Sequence, residues 1–220
     1  MMDKQAMQEF IAKRVALEFK QGDLVNLGIG LPTLVANYVP AEKEVIFQSE
    51  NGCIQIGPSP DPENVDLSIT NAGAIPVTLL PGGAFIDSAM SFGIIRGGHV
   101  DVTVLGALQV AENGDIANYM IPGKMVPGMG GAMDLLSGAR MVIVAMEHTA
   151  KGAPKLMKSC DLPLTAVKAV DLIVTEMGVI EVTPGGFLLL ERNPEYSIEE
   201  IQRNTGAELH ISPNLKDMAI

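Results

Sequence analysis

Glu50 ends a short apolar run, with Ser49 before it and Asn51-Gly52 after it. Asn-Gly is a strong turn signal, so this carboxylate stands where a strand gives way to a tight turn. Two readings follow. Either the carboxylate works on a substrate beside glycine-rich loops, or it is the solvated tip of a hairpin. Its position in the chain leaves both open.

Other groupings have a weaker claim. Gly28-Ile29-Gly30 looks like half of a dinucleotide fingerprint, but Thr33 occupies the place of the third glycine, which favours a plain tight turn. Amides at the start of the helix that follows would still suit an anion. A phosphate-binding P-loop fails at Gly123-Lys124, where Asn118 replaces the first glycine and Met125 the required Ser or Thr. The stretch 123–131, with Gly123, Gly128, Gly130 and Gly131, suits the lining of a site better than a packed core. Lys151, Lys155 and Lys158 fall at helical spacing and read as a solvated basic face or, less simply, a phosphate contact. His99, His148 and His210 stand in separate segments with no Gly-x-Ser-x-Gly elbow, so they read as loop or surface histidines, not members of a hydrolase triad.

The elements that would position these residues alternate in type. Met7, Phe10, Ile11, Val15 and Phe19 form one stripe of an amphipathic helix over 3–20. Residues 24–27 predict a short strand, 28–30 a turn, and Pro32 the first turn of a helix. A second strand is expected at 45–48, followed by a Pro-rich acidic loop over 57–66. Apolar, β-branched runs at 76–80, 100–105, 141–146 and 172–175 read as buried strands. Ser197 and Glu200 form a capping box, and Gly206 is placed to end that helix. The pattern predicts an α/β fold of one domain, 1–220: a single open sheet, mainly parallel, with helices on both faces and some later strands open to antiparallel pairing.

Composition narrows the function. A chain of 220 residues, 47% hydrophobic and 19% charged, can bury a large core. Its net charge of −11 and lack of Trp argue against a nucleic-acid partner. Cys53 and Cys160 are far apart, with no His or Cys at metal-ligand spacing, which argues against a disulfide framework or a metal site. The longest apolar runs fall short of the roughly 20 residues that span a membrane. Asp3, Lys4, Glu9, Lys13 and Arg14 interrupt any secretory apolar segment, so the expected location is cytoplasmic.

Phe47-Gln48-Ser49-Glu50-Asn51-Gly52 resembles the signature of family I CoA-transferases, in their glutamate-bearing β subunit. Segments 25–38, 87–110, 121–135 and 145–152 resemble the same family in the same order, with the nearest likeness to acetate/acetoacetate and succinyl-CoA:3-oxoacid CoA-transferases. The resemblance implies that Glu50 is the nucleophile and carries a covalent glutamyl-CoA thioester. It implies Gly131, beside Gly130, as an oxyanion donor, Asn51 as a group that directs the carboxylate, and Asn26 and Gly28 as CoA contacts. The thioester of coenzyme A would be a substrate, with no tightly bound cofactor, and a separate α subunit would complete an α2β2 assembly. Two departures from the pattern are Cys53-Ile54-Gln55 after the signature and Ala74 where relatives carry Lys. Two other readings compete: a non-catalytic binding or regulatory module on the same fold, and a sugar-phosphate isomerase using a general base, for which no basic clamp stands out.

Overall fold

The computed structural model describes residues 3–124, 126 and 128–218. Met125 and Pro127 of the glycine-rich stretch, and with Met125 one term of the P-loop comparison, lie outside the described residues. The chain opens with α1 (Lys4–Ala16), β1 (Leu24–Leu27), α2 (Leu31–Leu34), β2 (Ile46–Ser49), β3 (Cys53–Ile56), β4 (Leu79–Phe85), α3 (Ser88–Arg96) and β5 (Val102–Leu105). It continues with β6 (Gln109–Ala111), β7 (Ile116–Ala117), α4 (Ala132–Gly138), β8 (Met141–Ala145), β9 (Thr149–Ala150), β10 (Ala153–Pro154) and β11 (Leu156–Met157). The last elements are β12 (Leu172–Val174), β13 (Gly178–Thr183), β14 (Gly186–Arg192), α5 (Ile198–Arg203) and β15 (Leu209–Asp217).

A ten-stranded sheet has the order β15-β14-β13-β12-β8-β5-β1-β2-β3-β4. Its centre, β12-β8-β5-β1-β2, is parallel, while β3 and β4 on one side and β13 and β14 on the other pair antiparallel with their inner neighbours. This is the open, mostly parallel α/β sheet that the alternation predicts. Two small ribbons, β9-β10 and β6-β7-β11, lie beside it.

Period-two alternation of apolar residues explains why both faces are covered. Val102, Val104, Ile143, Ala145, Leu172 and Val174 pack on one face with Ile11, Val15 and Phe19 from α1 and the segment after it. Leu105, Val142, Val144 and Ile173 turn the other way and pack with Ile95 of α3 and Leu135 and Leu136 of α4. Among the described residues no helix is long and apolar enough to cross a membrane.

Several expectations are corrected. The strand expected at 76–80 starts at Leu79 and continues through Pro81 to Phe85, an outer position where a missing N–H is tolerated. Residues 149–157 form short strands and turns, so Lys151, Lys155 and Lys158 share no helix face. Gly206 does not end α5. Asn204 caps it instead, and the Gly206 N–H donates to the Leu156 carbonyl. His148 is no surface residue: it is fully buried, unlike the exposed His99 and His210.

Candidate functional site

The parallel strands β1, β2, β5 and β8 all end at one edge of the sheet, where open α/β sheets present their crevices. β1 and β2 pair in register, with Asn26 beside Gln48. After Ser49 the chain turns through Glu50, Asn51 and Gly52 and returns as β3, so that Ser49 pairs with Cys53. The Gly52 N–H donates to the Ser49 carbonyl (3.0 Å), and Gly52 adopts φ 117. A Cβ there would overlap the Ile86 carbonyl oxygen, which leaves glycine as the residue that closes this turn. The hairpin reading is therefore correct as geometry, and its tip lies in the crevice.

Around the Glu50 carboxyl, segments distant in sequence converge. The Asn26 Nδ2 group donates to Gln48 Oε1 (2.7 Å) and the Gln48 carbonyl (3.2 Å), and reaches Glu50 Oε2 at 3.4 Å. Opposite it, Gly131 caps the N-terminus of α4. A Cβ on Gly131 would sit 3.1 Å from Glu50 Cγ and 3.4 Å from both Cδ and Oε1. A contact of 3.1 Å to carbon is tighter than most Cβ atoms make, so any side chain at 131 would require the Glu50 side chain to give way by a few tenths of an ångström, and glycine lets the backbone approach the carboxyl without that shift. Gly130, at φ 49, is one step further from Oε1. The arrangement presents a half-buried carboxylate with one oxygen on an amide N–H and the other turned to a glycine backbone at a helix start. Such a group is suited to nucleophilic attack on a carbonyl whose developing charge faces backbone donors.

The other expected site residues are distributed differently. The Asn51 side chain donates to the Thr70 carbonyl (2.7 Å), and so ties the hairpin to the 70–76 loop; the amide that reaches Glu50 belongs to Asn26. Asn26 itself is fully buried beneath the carboxylate. Gly28 lies at the end of β1, where its N–H donates to the Val104 carbonyl (2.8 Å). Ala74 sits in the left-handed region at φ 59, within a loop held by Asn71 Oδ1 and by the Ala72 N–H to Ser49 Oγ. Cys53 and Cys160 are free thiols, and burial pushes both thiol pKa values up, that of Cys160 to about 11.

Three residues beneath the site were given no role by the sequence reading: Gln48, Ser91 and Thr103. Gln48 offered one signal, because it lies two residues before Glu50, on the strand that leads into the turn. Ser91 and Thr103 offered none. A second feature of this edge is a cavity of about 270 Å³ beyond β5 and β8, lined by residues that include Ile29, Gly106, Met146, Glu147 and Lys155. Burial lowers the Lys155 amine to about 8 against the opposing pull of Glu147 and Glu176.

Comparison with known proteins places the chain in a family and bears out its fold. Residues 8–204 match the family model described as coenzyme A transferase. The chain is 49% identical over 214 residues to the beta subunit of the acetate CoA-transferase of Haemophilus influenzae, covering 97% of this chain and 96% of that one. It is 48% identical over 206 residues to a succinyl-CoA:3-ketoacid coenzyme A transferase subunit of Helicobacter pylori, covering 93% and 99%. Against the mitochondrial succinyl-CoA:3-ketoacid coenzyme A transferase 2A of Rattus norvegicus, 48% identity extends over 98% of this chain but 42% of the rat protein. Among solved structures, an acyl-CoA transferase of Escherichia coli O157:H7 superposes with TM-score 0.78 at 21% identity, over 100% of this chain and 44% of that one, a likeness of fold.

Proposed function

The chain belongs to the coenzyme A transferase family, and on that premise we propose that it is the nucleophile-bearing subunit, moving CoA between a short acyl-CoA or 3-oxoacyl-CoA and a carboxylic acid. The observation that carries this reading is the approach of the Gly131 backbone to the Glu50 carboxyl, where an added Cβ would crowd Glu50 Cγ at 3.1 Å.

A Glu50 oxygen attacks the thioester carbonyl, expels CoA thiolate and forms a mixed anhydride. The thiolate then attacks the glutamyl carbonyl, which releases the first carboxylate and leaves CoA on Glu50 as a thioester. A second carboxylate attacks that thioester, expels the thiolate again and forms a new anhydride. Thiolate attack on its acyl carbonyl gives the new acyl-CoA and restores Glu50. No water enters, so the energy of the thioester is kept. Each addition places negative charge on a carbonyl oxygen, and backbone N–H groups at 130–131 are the candidate donors.

A partner polypeptide completes the site in this reading. The aligned region accounts for 42% of the rat protein, whose remaining length would correspond to an α subunit. Ile29 and Phe85, 69% and 60% exposed at this edge, offer apolar surface for it in an α2β2 assembly. The test is to mix the chain with its α subunit, add acetoacetyl-CoA and seek CoA on Glu50 by peptide mass spectrometry. Glu50→Ala should abolish the adduct and the exchange, and Glu50→Asp should lose most activity because the carboxylate retracts by one methylene. Full exchange by Glu50→Ala would end the proposal.

A further inference from the structure

We propose that Gln48, anchored by Ser91, is a positioning residue that sets the direction of the Glu50 carboxylate through the Asn26 amide; this rests on Glu50 being the nucleophile.

Strand geometry places the parts. Asn26 and Gln48 are neighbours in parallel register, and their side chains leave the same face of the sheet, the one covered by α3. Ser91 lies on α3 above them. The Gln48 Nε2 group donates to Ser91 Oγ (2.9 Å), and Gln48 Oε1 accepts from Asn26 Nδ2 (2.7 Å). Asn26 and Ser91 are wholly buried and Gln48 is 2% exposed, so no bulk water competes for these groups.

The chemistry of each partner then fixes the order of donors and acceptors. An ionised carboxylate only accepts, so the amide face that Asn26 turns to Glu50 must be its N–H₂. That same N–H₂ meets Gln48, which must answer with Oε1. Gln48 is then left with its own N–H₂ toward α3, where the Ser91 hydroxyl accepts. Turning the Asn26 amide over would set its Oδ1 against both Gln48 Oε1 and the carboxylate, a meeting of oxygens that burial makes costly. Asn26 Oδ1 has no partner among the described residues, so Gln48 is the side-chain group that holds the amide's direction.

The consequence reaches the reacting atom. With Oε2 held by Asn26, the other oxygen, Oε1, is the one nearest Gly130 and Gly131. Gln48 never touches a substrate. It acts by keeping the two carboxylate oxygens in distinct places.

The test uses the chain with its α subunit and acetoacetyl-CoA, following the CoA adduct on Glu50 together with kcat and KM. Gln48→Met keeps the length of the side chain and removes the closer, side-chain acceptor, leaving the Asn26 amide only the residue 48 carbonyl at 3.2 Å. It should slow adduct formation about ten- to a hundredfold, the range for losing a hydrogen bond that directs a charged group, with KM within about twofold. In an Asn26→Ala background the same change should cost less than about twofold more, because the relay is already cut. Ser91→Ala should show a smaller loss with the same dependence on Asn26, and it carries the test if Gln48→Met fails to fold. Equal losses in both backgrounds, a rise in KM at constant kcat, or a wild-type rate would overturn the role of Gln48. Absence of any adduct in the wild-type complex would instead remove the nucleophile reading, and the relay with it.

Discussion

The Glu50 edge of the sheet and the flank built from β12 to β15 with α5 treat buried polar groups in opposite ways. On the flank, His148 is bonded through both ring nitrogens, to Thr175 Oγ1 and Thr205 Oγ1 (2.9 Å each). The Thr205 hydroxyl donates to the Ile201 carbonyl, so it accepts from His148 Nε2–H and leaves Nδ1 to accept from Thr175. Glu176 accepts from the His148 N–H, Asn193 bonds through both ends of its amide, and Arg14 meets Glu191 at 2.6 Å. At the Glu50 edge, by contrast, Asn26 Oδ1 and Thr103 Oγ1 are buried without a partner among the described residues. Each such atom costs about 1–3 kcal/mol. The difference separates a flank whose buried polar groups are paired with one another from an edge beside Glu50 where two are left unpaired among the described residues.

That contrast can be broken most forcefully at Arg14. Arg14→Ala leaves Glu191 buried with Lys216 (3.2 Å) as its remaining cation, and should destabilise the fold by about 3–5 kcal/mol in denaturant titrations. Adduct formation per folded molecule should be unchanged; a parallel loss of chemistry would show that the two regions are not independent. Gly131→Ala is the converse. Its φ of −83 and ψ of 6 suit alanine, so stability should move by less than about 1 kcal/mol, while transfer falls by about tenfold and at most about 10²-fold as the Cβ displaces the Glu50 carboxylate by a few tenths of an ångström. Transfer at the wild-type rate would refute the packing argument.

Acid should find the flank as well. Burial, with a smaller contribution from Lys155, lowers His148 in the folded chain to about 4 from an ordinary 6.5. Above about pH 6.5 folded and unfolded chains both hold it neutral. As pH falls toward about 4, the unfolded chain binds a proton that the folded one refuses, so stability drops by about 3 kcal/mol over that window. His148→Gln should flatten this slope in unfolding curves taken across the window, and an unchanged slope would locate the effect elsewhere. The smallest expected effect is at the cap of α5, where Ser197 and Glu200 satisfy each other's backbone N–H groups. Ser197→Ala should cost about 1 kcal/mol by thermal melting and leave transfer untouched.

How much of this was readable in advance depends on how local each signal is. The strands at 24–27, 100–105 and 141–146, the Asn51-Gly52 turn and the Ser197 capping box all rest on neighbours within a few residues, and each was found close to its expected bounds. The lysine spacing at 151–158 misled, because an apparent helical period carries no weight where the backbone pairs as short strands. His148 does lie in a loop, but its burial was hidden because its partners, Thr175 and Thr205, lie far along the chain.

The sequence by itself determined the alternation of apolar residues that gives this sheet two buried faces, and the signature that marks Glu50 as the group to watch. Tertiary structure alone decided which polar side chains meet that carboxylate. Asn26 reaches Glu50 while Asn51, its immediate neighbour in the chain, turns away to Thr70. Strand register places Asn26 beside Gln48, and the packing of α3 and α4 brings Ser91 and Gly131 over the same face. Register and helix packing are sums over contacts between distant segments, so no stretch of sequence contains them.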